Sequence, residues 1–378
     1  MTAASKFHAQ QPFKTKRIGK YFSLFILLGI WFIPNTVAQE EKAAKAIENA
    51  SSKGFSGVLL LAKDGEVIFE KATGYRSFEK EIPLKPTDIF EMASISKQFT
   101  AMMVMICAEK GLLGYDDLLQ EYLETPYSGI TIRQLLTHTN GLPDYQEVMD
   151  KHWDKSKVAD NAAILEYLSI YQPPILAQPG EQYEYSNTAY VFLASIVEKV
   201  TGRDFIEISR EWIFKPLGMS FTDIRTLEEK SQVSHFAAGH LKDDQGNYIN
   251  ASKFHAFDYT VWLGNRKGPG RVSSTVSDLL KWDQALYTEK LISKASLEEA
   301  FSPMTLQDGS LSQYGFGWDL DLASEWGSIV SHTGDNPGYK TIIVRFIDQN
   351  KTLIILNNNA HEAMDELIKS CMEALGNW

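Results

Sequence analysis

Strand-type sequence stands at both ends of this chain, and helix-type sequence fills the middle. Near the amino end, Gly57-Val58-Leu59-Leu60-Leu61-Ala62 leads through Lys63-Asp64-Gly65 into Val67-Ile68-Phe69-Glu70. Apolar, β-branched runs joined across Asp-Gly predict an antiparallel hairpin. Near the carboxyl end, Ile329–Gly334 reads as a strand, and Lys340–Phe346 pairs with Thr352–Leu356 across Asp348-Gln349-Asn350-Lys351. The stretches between them carry helical periodicity broken by turns such as Asn140-Gly141-Leu142-Pro143. One antiparallel sheet completed by both chain ends is therefore expected, an α/β (α+β) fold flanked by helices with a mostly helical lobe inserted. The sheet lobe is expected at about residues 39–90 and 300–378, and the helical lobe at about 100–290. The chain's 378 residues, 44% of them hydrophobic, are enough for one large domain or two lobes.

Ahead of that domain, Lys14, Lys16, Arg17 and Lys20 precede the apolar run Tyr21–Ile33, which ends at Pro34-Asn35-Thr36-Val37-Ala38. A basic head, a short apolar core and a small residue before the cut describe a signal peptide, residues 1–38, cleaved after Ala38. The run is shorter than the ~20 residues a membrane-spanning helix needs. A periplasmic or secreted protein without a stable membrane anchor is the expectation. Cleavage would move the formal charge from −11 to −16, since residues 1–38 carry five Lys or Arg and no acid. So acidic a chain is a poor partner for nucleic acid, which needs basic patches. Cys107 and Cys371 lie in separate apolar helical patterns and are expected as buried free thiols.

The chemistry centres on Glu91-Met92-Ala93-Ser94-Ile95-Ser96-Lys97, a turn feeding an apolar helix. Residues three apart share a helix face, so Ser94 and Lys97 can meet. A serine hydroxyl needs a nearby base to become a useful nucleophile. A lysine serves if burial or neighbouring cations favour its neutral amine. Taken alone, Ser-x-x-Lys is equally an N-cap followed by a solvated lysine. His138, just before the Asn140-Gly141 stop, has no His or Cys partner at metal spacing and is expected to be structural.

Further along stand Tyr185-Ser186-Asn187 and His332-Thr333-Gly334. With Ser94-Ile95-Ser96-Lys97 they resemble the three-motif set of penicillin-recognising serine hydrolases. More closely, the set is similar to the branch of class C β-lactamases, secreted D-alanyl-D-alanine carboxypeptidases and related esterases. Leu135–Pro143, Pro179-Gly180-Glu181, Pro216–Met219 and Tyr314–Trp318 stand in the family order, so the resemblance covers nearly all of the expected mature chain.

That resemblance implies a serine hydrolase of the β-lactamase/transpeptidase-like fold working through an acyl-enzyme on Ser94. Lys97 and Tyr185 would move the proton. Asn187, His332, Thr333, Gly334 and Asp335 would bind substrate, with the backbone N–H groups of Ser94 and Asp335 as oxyanion hole. No metal or organic cofactor is implied, and a monomer acting on a small molecule or peptide is expected. The acyl donor would be a D-alanyl peptide, a small ester or a β-lactam. A penicillin-binding or sensing module that does not turn over is the alternative from another class. Tyr185 as a core aromatic and His332 as a strand surface residue are the structural readings of those two side chains. Class C β-lactamases usually carry Lys where this chain has His332, which ranks β-lactams below esters and D-alanyl peptides. Relatives often have Gly-Gly where this chain has Gly270-Arg271, and the sequence assigns Arg271 no task.

Overall fold

A computed structural model describes residues 33–377, with side chains from residue 39. The signal-peptide segment expected at residues 1–38 falls almost wholly outside the described region. The first helix, α1 (Ile33–Ser52), precedes the hairpin β1 (Gly57–Lys63) and β2 (Glu66–Thr73). Asp64 and Gly65 both adopt positive φ, 52° and 78°. That is the conformation a two-residue hairpin turn demands and the reason Asp-Gly marks it.

A short strand β3 (Phe90–Glu91) leads to a 3₁₀ turn at Ala93–Ile95 and helix α2 (Ser96–Glu109). The inserted lobe holds α3 (Ile132–Leu136), α4 (Tyr145–His152), α5 (Asn161–Tyr171) and α6 (Asn187–Thr201). The chain then makes β4 (Asp223–Ile224), β5 (Val272–Ser274) and α7 (Val276–Ala285). It returns to the sheet through β6 (Asp319–Ser324), β7 (Gly327–Asn336), β8 (Tyr339–Phe346) and β9 (Lys351–Asn357), and closes with α8 (Met364–Gly376).

The main sheet has six strands in the order β6-β7-β8-β9-β1-β2. The two chain ends meet where β1 pairs antiparallel with β9, Gly57 opposite Asn357 and Lys63 opposite Lys351. The expectation of one sheet built from both ends is borne out. Side chains alternate across it, as a pleated strand requires. Leu59 and Leu61 join Ala43 and Ile47 of α1 and Leu367 and Cys371 of α8 in one buried layer. Val58 and Leu60 face the other way, into a core shared with α2, α6 and α7. Both faces of β1 are thus covered, which is why its sequence is an unbroken apolar run rather than an alternation.

Helix α2 is buried almost throughout, and α6 packs on it. Ser186 caps α6, its Oγ accepting from Ala189 N at 3.1 Å, and Gly202 at φ 65° ends it. Cys107 and Cys371 are buried free thiols, as expected. No described helix is long and apolar enough to cross a membrane.

Candidate active site

Ser94 sits in the 3₁₀ turn between β3 and α2, against the free end of β7. Ala93, just before it, is held at φ 48°, a strained conformation for a residue with a Cβ. Three contacts hold the turn in place. Met92 N donates to Val272 O at 2.9 Å, Val272 N donates to Ser96 Oγ at 3.0 Å, and Thr341 Oγ1 donates to Met92 O at 3.0 Å. Gly334 completes the seat. A Cβ there would stand 2.2 Å from Met92 O and 2.3 Å from Thr341 Oγ1, so only glycine lets β7 approach the Ser94 turn this closely.

Lys97 is fully buried. Its Nζ lies 3.2 Å from Ser94 Oγ, 2.8 Å from Asn187 Oδ1 and 3.1 Å from Pro269 O. Two of those partners can only accept. A neutral amine has two N–H groups and one lone pair, so giving both N–H groups to Asn187 and Pro269 leaves the lone pair for the Ser94 hydroxyl. Burial pushes the Lys97 amine well below the usual lysine range, and the Arg266 charge adds to this against a smaller opposing effect of Asp144. The aromatic faces of Tyr185 and Tyr190 lie 4.6 and 5.5 Å from the nitrogen.

Tyr185 is no core aromatic, since its side chain is partly exposed. Desolvation by the protein packed around it pushes it above the ordinary tyrosine value, with a hydrogen bond to Ser94 acting the other way. The phenol therefore keeps its proton at neutral pH, while Lys97 is biased towards its neutral amine. Of the two bases expected from the sequence, Lys97 is the one its surroundings make basic in the resting site. Tyr185 is placed to donate and relay.

The structure thus brings Ser94, Lys97, Tyr185 and Asn187 into direct contact. Strand β6 pairs with β7 only as far as Asp319 opposite Ser331. Beyond that point His332–Asn336 pair with β8 alone among the named strands, which leaves an edge open to an extended substrate. Thr333 and Asp335 are exposed along this edge.

His332 is a correction to the expected picture, whether as a substrate contact or as a strand surface residue. Its ring is buried, with Nε2 2.7 Å from the Tyr314 hydroxyl and Nδ1 2.6 Å from Thr333 O. The carbonyl can only accept, so Nδ1 carries the proton and Nε2 accepts from the tyrosine. Burial, with Lys97 adding, pushes the ring down to about 3. It is neutral, and its one N–H is already used within the protein. His138 is structural, as expected. Its Nδ1 accepts from Ser186 N at 3.1 Å, and its ring packs 4.3 Å from that of Tyr185 and 4.6 Å from that of Tyr314.

Arg271 is held at φ 82°, a conformation that costs a non-glycine residue about 1–2 kcal/mol. That backbone explains the glycine common at this place in relatives. The Arg271 guanidinium is buried and donates to Arg225 O. Burial pushes it down to about 10, with Glu91 opposing. Sequence reasoning did not single out Tyr314, the Pro269 carbonyl or Arg266. Tyr314 lies in the noted Tyr-Gly-Phe-Gly-Trp stretch, while the other two carry no local signal. Among the described residues no cluster of three or more His, Cys, Asp or Glu is suited to a metal.

A cavity of about 1020 Å³ opens at Ser94, with Asn187, Pro269, Gly270 and Asp335 in its lining. Comparison with known proteins agrees with the geometry. A profile of the family described as Beta-lactamase matches residues 39–370. Penicillin-binding protein 4* of Bacillus subtilis is 41% identical over 312 residues, covering 82% of this chain and 69% of that protein. Among solved structures, the octameric penicillin-binding protein homologue from Pyrococcus abyssi superposes with TM-score 0.76 at 24% identity, covering 89% of this chain and 77% of that one. The D-amino acid amidase from Ochrobactrum anthropi SV3, complexed with L-phenylalanine amide, gives TM-score 0.73 at 22% identity, covering 90% and 99%. These structural likenesses show the shared fold.

Proposed function

The chain belongs to the beta-lactamase family of serine hydrolases, and from that premise we propose that it is an exported acyl hydrolase whose nucleophile is Ser94. Lys97 takes the Ser94 proton as the hydroxyl attacks the acyl carbonyl. The proton then passes through Lys97 and Tyr185 to the departing group. Asn187 orients both the Lys97 amine and the substrate's amide. The N–H groups of Ser94 and Asp335 receive the oxyanion, and Thr333 lies along the open strand edge. The observation that carries this reading is the set of partners around Lys97 Nζ, two of which can only accept, so that the amine once neutral has its lone pair left for Ser94 Oγ.

D-alanyl peptides and small esters are the proposed acyl donors, ahead of β-lactams. The relatives include a penicillin-binding protein, and the structural neighbours a D-amino acid amidase, which suits acyl groups of that kind. The test is a screen of a p-nitrophenyl ester, a D-alanyl-D-alanine peptide and a chromogenic cephalosporin. Multiple turnover of the ester or the peptide is expected. Stoichiometric labelling by a penicillin with no turnover of any substrate would instead identify a binding or sensing protein.

The pH profile follows from the base. Because Lys97 works as a neutral amine and is held below its usual ~10.4, kcat/KM should rise with pH through the lowered Lys97 value and be largely developed well below pH 10. His332, pushed down to about 3, adds no step in the neutral range. A rise centred at the ordinary lysine value would contradict the assignment of Lys97 as base.

Export is proposed on the residues of the amino-terminal segment. Cleavage after Ala38 keeps the buried face of α1, formed by Gln39, Ala43, Ile47 and Ala50. Mass spectrometry of protein recovered outside the cytoplasm should find a chain beginning at Gln39. An intact Met1 on that material would contradict the cleavage.

A further inference from the structure

The cavity at Ser94 has a charge the whole chain does not. Six Lys or Arg and three Asp or Glu line it, in a protein of net charge −11. Most of the cations are committed. Arg76 pairs with Asp88 at 2.9 Å, Lys253 pairs with Glu79 at 3.2 Å, Lys230 pairs with Glu91, and Arg271 donates to Arg225 O. Lys80 is exposed at the rim. Arg266 is different. Among the described residues its guanidinium has no ion pair and no hydrogen bond, and its Nε is buried without a partner. Asp144 feels the Arg266 charge, but the two form no ion pair.

The loop that carries Arg266 is pinned on both sides. Asn161 Nδ2 donates to Lys267 O at 3.1 Å, and Lys267 N donates to Asn161 Oδ1 at 2.7 Å. Thr100 Oγ1 donates to Gly268 O at 2.8 Å, and Lys97 Nζ lies 3.1 Å from Pro269 O. Lys267 is drawn away to Glu198 and Asp204, whereas Arg266 faces the cavity. A Cβ placed on Gly270 would lie 3.5 Å from Arg266 Nη2 and 3.9 Å from Ala93 O. The tip of the guanidinium and the carbonyl preceding Ser94 therefore border the same small space, which Gly270 leaves empty.

A guanidinium with no partner in a partly buried site keeps donors that neither protein nor bulk water fully satisfies. Its planar fork matches a carboxylate with two parallel hydrogen bonds. His332 is neutral and enclosed, so strand β7 supplies no cation from that position. Arg266 can supply one from the loop that carries Pro269 and Gly270.

We propose that Arg266 receives a carboxylate of the substrate, so that the acyl donors this enzyme prefers carry a negative charge close to the scissile carbonyl. The inference rests on the acyl-hydrolase reading above and narrows it to anionic donors.

Two matched pairs of esters test it. Mono-glutaryl and valeryl p-nitrophenyl esters vary the charge on the acyl side, while 3-carboxyphenyl and phenyl valerate vary it on the leaving group. Each kcat/KM is measured on the high-pH plateau, so that any shift in Lys97 drops out, and is referred to active sites titrated with a covalent phosphonate. The parent protein should favour the carboxylated member of at least one pair by about tenfold or more, the scale of a charge-assisted bidentate contact. In Arg266→Gln that ratio should collapse towards one, mainly through KM, and Arg266→Lys should recover part of it. Turnover of both members with no charge preference, or a preference unchanged in Arg266→Gln, would overturn this inference and leave the hydrolase reading intact. No turnover of any of the four esters would overturn this inference, and no turnover of the D-alanyl-D-alanine peptide or the cephalosporin either would overturn the hydrolase reading with it.

Discussion

Replacing Ser94 with alanine should lower turnover of every acyl donor by roughly 10⁴–10⁶-fold and end covalent labelling, with the fold intact. The size follows from the absence of a substitute. Other hydroxyls line the same cavity, and three of them are engaged elsewhere. Ser231 Oγ donates to Glu228 O, Ser252 Oγ to Asn250 Oδ1, and Thr260 Oγ1 to Phe257 O. Only Ser94 among the hydroxyls of the cavity contacts the Lys97 amine. The fold should tolerate the change because the substitution removes one partly exposed oxygen and leaves no new space in the core. Circular dichroism and a melting curve matching the parent would establish that the loss is chemical. Hydrolysis surviving at more than a hundredth of the parent rate in a clean preparation would remove Ser94 from the mechanism.

The second large effect concerns Lys97 and Tyr185 together. Lys97→Ala should cost about 10³-fold or more in kcat, the upper range for a general base. Tyr185→Phe alone should cost about 10²-fold. The double variant should be little worse than Lys97→Ala, because the two groups serve one proton route and their losses do not multiply. The opposed shifts motivate this. Burial lowers the amine and raises the phenol, so one accepts the Ser94 proton while the other holds one ready to donate. Losses that multiply independently would mean that the two residues act in separate steps.

Lys97 also separates chemistry from stability. Its folded value lies below the unfolded value near ~10.4, so between those two pH values the unfolded chain binds a proton that the folded chain does not. Stability therefore rises with pH across that window, and the buried amine lowers stability at neutral pH. Lys97→Met, which keeps the stem's bulk without the amine, should be as inactive as Lys97→Ala yet melt no lower than the parent at pH 7.

What could be read from the sequence was local. The Asp64-Gly65 turn and the i, i+3 relation of Ser94 and Lys97 depend on residues a few positions apart. The last survives although Ser94 stands in a 3₁₀ turn rather than in α2, because both helix types bring i and i+3 close together. Five strands of the six-stranded sheet were legible because they are apolar runs bounded by turn residues, whereas β6, Asp319-Leu320-Asp321-Leu322-Ala323-Ser324, carries no such run and was not legible. Features set by register and by distant contacts were not legible. His332 is enclosed because Tyr314, from the loop before β6, reaches its Nε2, and nothing local to the His332-Thr333-Gly334 motif encodes that contact. The open edge of β7 arises because β6 ends opposite Ser331, a matter of pairing rather than composition. Arg271 reveals its strained backbone only in three dimensions, and Arg266 matters only because its neighbours leave it without a counter-charge.

The central claim is that Ser94 becomes acylated. Intact-protein mass spectrometry after brief incubation with a slowly deacylating donor, such as a penicillin or an activated phosphonate, tests it directly, with peptide mapping of the product. The account predicts a single adduct of the reagent's mass on the peptide containing Ser94, absent from Ser94→Ala and slow to form in Lys97→Ala. An adduct on another residue, or steady ester turnover while neither reagent forms an adduct on Ser94, would contradict it.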